Sequence, residues 1–101
     1  MVTLSVTRSR VAAVLLGAES LLETEGWDAL RNPVIHAIDR AAGFVPGKGA
    51  KDAELTTLDA WQQLADHLDV ASVLSWERMT CRTQRQVLFA LAGAARKAAV
   101  S

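Results

Sequence analysis

The sequence holds one cysteine, Cys81, which excludes an internal disulfide and any cysteine-rich metal site. A reducing cytosol is the compartment that fits. Net charge is also missing: eleven basic residues balance eleven acidic ones, so no overall field draws the chain to DNA, RNA or anionic lipid. The longest strongly apolar run, residues 11–18, is far too short to span a bilayer, and no membrane association is expected. Near the start, Val2, Leu4 and Val6 alternate with polar residues, so no apolar secretory leader is expected and the reading is cytoplasmic. Internal repeats and low-complexity tracts are absent, and so is tyrosine.

What is present describes one small folded domain. A chain of 101 residues has a one-domain length with a thin core. Half of it is hydrophobic and 22% is charged, the balance of a globular rather than a disordered chain. The charges are unevenly placed. Residues 1–50 carry five basic and five acidic side chains, residues 51–77 one basic and six acidic, and residues 78–101 five basic and none acidic. The simplest expectation is that the anionic and cationic segments neutralise each other across packed helices.

Apolar residues recur at helical spacing throughout. Val11, Val14, Leu15, Ala18, Leu21 and Leu22 mark a first helix, with Thr7 as its expected cap and Gly26 as its left-handed end. Gly17 inside that stripe points to a close neighbour, because propensity alone disfavours it. A second helix is expected from Asn32-Pro33, a cap residue followed by proline, through Val34, Ile35, Ile38 and Ala42 to Gly43. Residues 44–55 (with Pro46, Gly47 and Gly49 among lysines) read as a flexible loop.

A third helix is expected over about 57–68, capped by Thr56 or Thr57, with Leu58, Trp61, Leu64, Ala65 and Leu68 inward. A short fourth is expected over 71–78. The last opens at Thr83, where Gln86 completes a capping box, and turns Val87, Leu88, Leu91, Ala94, Ala95 and Ala98 inward. Residues 1–6 read as an extended arm. The expected fold is all-α, a single compact array of four to five short helices.

These landmarks have a familiar order. An amphipathic helix ends in Glu25-Gly26-Trp27, and a short Ala-rich helix precedes a loop. Leu68-Asp69-Val70 follows, then a short helix with Ser75-Trp76, then Arg82-Thr83 opening a helix with Val87-Leu88. This order resembles a family of small all-helical proteins of unknown function found in actinobacteria and their phages. The resemblance covers most of the chain and implies a fold and an actinobacterial or phage origin; it brings no mechanism. Ile35-His36-Ala37 stand where the family often has cysteine and glycine, and Glu77-Arg78 where it has Asn-Asp.

Few residues invite chemistry. His36 and Asp39 are three apart on a helix and can face each other, but no nucleophile or third ligand accompanies them. His67 and Asp66 diverge. Cys81 lies beside Arg78 and Arg82 near a helix start, conditions that activate a thiol, yet it has no partner histidine within sequence reach. The glycines around Lys48 depart from a phosphate-loop pattern and follow no strand. No catalytic, cofactor-binding or metal site is therefore expected.

Two sets of binding candidates remain. Trp27 and Trp76 flank helix ends; the first expectation is that both are mainly core, and a partly exposed ring at either would be available to a protein partner. Arg78, Arg82 and Arg85, spaced four and three apart, would form one basic stripe at the start of the last helix, suited to phosphate. A helix-turn-helix built on that stripe lacks its turn glycine, and the helix beyond Arg85 is apolar. The leading expectation is a non-enzymatic interaction module that binds a protein or itself. The alternative is a DNA-binding or regulatory module using those arginines.

Overall fold

The computed structural model describes residues 2–44 and 51–100, and the side chains of 10–44 and 51–99. Among the described residues the regular elements are five helices, with one isolated bridge between Asp28 and Asn32 in place of any strand. The expected all-α array is what the chain forms.

Helix α1 (Val2–Glu25) buries Val11, Val14, Leu15, Ala18 and Leu22 along one side. It ends where expected: Gly26 adopts φ 90°, and its N–H donates to Leu22 O at 2.8 Å, a left-handed stop that a side chain would resist. Its start differs from the sequence reading. Val2 to Val6 are helical rather than an extended arm, and Thr7 lies within α1 instead of capping it. Helix propagation adds one hydrogen bond for each residue fixed once a nucleus exists, so the helix marked by residues 11–22 extends back through these residues.

The connection to α2 (Val34–Ala42) is tied by side chains. Asp28 Oδ1 accepts the N–H groups of Leu30 and Arg31 at 2.8 and 2.9 Å, a turn of the kind aspartate favours. Asn32 does not cap α2: its Nδ2 donates to Gly26 O at 3.0 Å, and Pro33 occupies the cap position with no side-chain bond to offer. Gly43, at φ 76°, closes α2 as expected.

Helix α3 (Lys51–Leu68) begins earlier than its pattern suggests. Residues 51–55, expected in the flexible loop, are helical; residues 45–50, which hold most of the rest of that loop and of the rejected phosphate-loop segment, lie outside the described residues. Thr56 and Thr57 are buried mid-helix rather than capping it. Thr56 Oγ1 donates back to Asp52 O at 2.8 Å, and Thr57 Oγ1 donates across to Asp39 Oδ1 of α2 at 2.6 Å. Their hydroxyls, paired in this way, can be buried. The inward face consists of Thr56, Thr57, Ala60 and Leu64, and Leu58, expected inside, is 55% exposed.

Helix α4 (Val73–Glu77) is one turn longer than a cap, begun by Ser72, whose Oγ accepts the Ser75 N–H at 3.2 Å. Helix α5 (Gln84–Val100) follows the expected box: Gln86 N–H donates to Thr83 Oγ1 and Thr83 N–H to Gln86 Oε1, at 3.2 and 3.0 Å. Its alanines let α1 lie against it in the largest helix–helix interface, while α2 and α3 complete the ring around α1 and α4 rests on α3. Leu15, Leu22, Ile38, Leu64 and Leu91 fill the centre, all fully buried.

Two glycines mark the closest approaches. A Cβ on Gly17 would stand 3.1 Å from the Ala41 Cβ, which is the tight α1–α2 contact the sequence implies. A Cβ on Gly93 would stand 2.5 Å from His67 Nε2, so the ring of α3 occupies the space a side chain on α5 would need. Gly93→Ala therefore costs about 1 kcal/mol net of its helix propensity. It becomes stabilising in a His67→Ala background, a coupling that denaturant titration of the double-mutant cycle measures.

Candidate functional site

A buried carboxylate organises the end of the molecule that carries the candidate residues. Glu77, the last residue of α4, is 0% exposed. Its Oε2 accepts the Trp27 indole N–H at 2.8 Å and the Val34 backbone N–H at 2.6 Å. Val34 opens α2, so Glu77 supplies from a distance the anionic cap that Pro33 cannot provide. Trp27 is held a second time, its backbone N–H donating to Gln84 Oε1 of α5 at 2.9 Å. Four helices thus meet on one carboxylate and one amide. The second carboxylate oxygen, Oε1, is buried without a partner. Burial pushes the Glu77 pKa above its ordinary 4.5, against the bonds from Trp27 and Val34 and the nearby charges of Arg78 and His36.

Since the inner face of α4 is committed to this junction, its outer face is left to solvent. Three shallow grooves join around it. The first, about 510 Å³ between α2, α3 and α4, is lined by Ile35, Leu58, Trp61, Val73 and Leu74. The second, about 410 Å³, shares Ala71 and Ser72 with the first and adds Val70, Trp76 and Met79. The third, about 520 Å³ between α3, α4 and α5, shares Trp76 with the second and adds Leu68, Phe89 and the rims of Arg82 and Arg85. Phe89 is 71% exposed, Met79 58% and Leu74 38%. Large apolar side chains this open, contiguous around one short helix, are the composition of a surface made for covering.

The structure separates the sequence candidates. Trp27 spends its indole N–H inside the molecule, while Trp76, half-buried, forms the shared wall of two grooves. Arg78, Arg82 and Arg85 do not form one helical stripe, because the chain between α4 and α5 is a turn in which Cys81 takes φ 74°. That is the left-handed position a glycine would fill. Arg78 ends α4 and Arg85 stands on α5. The Arg82 guanidinium lies over Trp76, 4.1 Å from the ring centroid, with its Nε donating to Trp76 O at 3.0 Å.

Of the expected cancellation between the cationic and anionic segments, Arg78 takes part through its charge close to Glu77, while Arg85 has no ion-pair partner among the described residues. The ion pair between Arg40 and Glu25 (2.6 Å) lies elsewhere, exposed to solvent.

His36 and Asp39 do not pair: Asp39 accepts from Thr57, and His36 is exposed. His67 borders the third groove. Its pKa is lowered by burial and by Lys97 and Arg96, and Nδ1 is buried without a partner. Cys81 is exposed. Among the described residues no three His, Cys, Asp or Glu side chains converge as metal ligands, and no helix is long and apolar enough to cross a membrane.

Glu77 is the residue that sequence reasoning missed. Its signal was indirect: a helix that starts after proline, with no side-chain oxygen at the cap, must find an acceptor elsewhere. Compared with protein-family models, curated proteins and solved structures, the chain matches none.

Glu77→Gln copies the neutral acid. The raised pKa means that Glu77 contributes stability that is present below pH 4.5 and is lost as pH rises through the folded value. Urea titration is expected to give Glu77→Gln and the parent similar stability at low pH, with the variant gaining as pH rises. Glu77→Ala, which strands two buried donors, costs about 3 kcal/mol at low pH, and that cost shrinks as pH rises through the folded value.

Proposed function

We propose that this chain is a non-enzymatic interaction module of the cytoplasm, using the apolar surface around α4 to bind a protein partner or a second copy of itself. The observation that carries the reading is the continuity of the three grooves through Ala71, Ser72 and Trp76, with Leu74, Met79 and Phe89 open to solvent on their edges. Trp76 supplies the kind of aromatic anchor on which interface energy concentrates. The resemblance to a helical family of actinobacteria and phages agrees with an accessory role of this kind.

The DNA-binding alternative has less support. Arg82 is held on Trp76 rather than extended, and a recognition helix needs several outward polar side chains, whereas α5 beyond Gln86 reads Val-Leu-Phe-Ala-Leu-Ala.

Photocrosslinking tests the interaction reading. A benzophenone amino acid placed at Leu74 or Phe89 is expected to crosslink to protein in living cells, and the same group at Leu16, exposed on α1, is not. Absence of crosslinks from both α4–α5 positions overturns the reading. Duplex DNA titrated at two salt concentrations is expected to show no salt-dependent binding; a steep salt dependence would favour the arginine-based alternative instead.

A further inference from the structure

The interaction reading leaves the occupant of the grooves open, and the chain itself carries a surface that fits one of them. The groove between α4 and α5 has an apolar floor of Leu68 and Trp76, an exposed Phe89, and cationic rims at Arg82 and Arg85 with no acidic residue among its lining. Arg85 has no ion-pair partner among the described residues, and residues 78–101 contain no acid to provide one.

The outer face of α3 has the opposite character. Leu55 and Leu58 stand 52% and 55% exposed. Positions 51, 55, 58, 59, 62 and 66 share one helical face, so Asp59 and Asp66 follow the two leucines along it, exposed, and Lys51 precedes them. Asp59 has no hydrogen-bond or ion-pair partner among the described residues. Within one molecule Leu58 lines the first groove beside Leu74, while the α4–α5 groove is lined from α3 by His67 and Leu68.

Resting on the interaction reading above, we propose that the α4–α5 groove receives the acidic, leucine-bearing face of α3 from a second copy of this chain. Leucines would enter between Trp76 and Phe89, and Asp59 or Asp66 would meet Arg85. Charge complementarity selects this occupant: the groove rim is cationic with no acid in its lining, the α3 face carries Asp59 and Asp66 against the single Lys51, and the balanced total of eleven basic and eleven acidic residues removes any overall repulsion between copies. Each contact pairs two different surfaces, so copies join either head-to-tail in a ring or open chain or reciprocally, groove to helix twice, in a two-fold dimer.

Sedimentation velocity on the intact chain provides the test. The parent is expected to show a sedimentation coefficient that rises with concentration and falls with salt. Arg85→Glu and Asp59→Lys, both at exposed sites, are expected to keep the parental circular dichroism and each to weaken association by about tenfold. Mixing the two variants restores association, because the reversed groove of one now suits the reversed helix of the other. A parent that stays monomeric at every concentration, association indifferent to Arg85→Glu, or a mixture without recovery overturns the proposal. A monomer whose Phe89 crosslinks to a different protein overturns self-association alone and leaves the interaction module standing.

Discussion

The arrangement depends on one buried carboxylate. Glu77 accepts from the indole of Trp27 and from the first N–H of α2, joining the end of α1, the start of α2 and the whole of α4 at a single oxygen. Burying a carboxylate is costly unless donors surround it. Here one donor is an amide at a helix N-terminus, where the backbone dipoles favour negative charge. The other is a tryptophan N–H that itself needs an acceptor once buried. Each group solves the other's problem, and the short helix that carries Glu77 is pinned in one orientation by the solution.

That orientation has a consequence for the surface. A helix of five residues has little area to bury, and its inward side is spent on Val73 and Glu77. Leu74 and Trp76 are then left facing the boundary with solvent, where Leu58 of α3 and Phe89 of α5 stand beside them. The guanidinium of Arg82 over Trp76 adds a cationic lid to one edge, a contact in which a charged group covers apolar ring without leaving water. The core and the exposed apolar surface are therefore two sides of the same junction.

Much of the fold was legible. The helix-ending glycines at 26 and 43, the box at Thr83 and Gln86, and the close approach at Gly17 all appear where the pattern placed them, because each reflects a local requirement of backbone geometry. The misreadings share a cause. Val2 to Val6 alternate like a strand and Thr56-Thr57 look like a cap, but propensities of this kind are weak and yield to what pairs the backbone and hydroxyl groups. Thr57 is buried because Asp39 of another helix is there to accept its proton, a fact no window along the chain contains. The three arginines failed as a stripe because a left-handed residue at Cys81 breaks the helical register between them.

By itself the amino-acid order determined the helical class, the faces of α1 and α5, and the separation of acidic from basic segments, since these follow from spacing along a single rod and from simple charge. Tertiary structure alone decided that Trp27 is an internal donor while Trp76 is a surface wall, and that Glu77 caps a helix 43 residues earlier in the chain. It also left Arg85 without an ion-pair partner among the described residues, while the charge of Arg78 lies close to Glu77. Those outcomes depend on which atoms meet across elements far apart in sequence, and a hydrogen bond is decided within a few tenths of an ångström that only packing fixes.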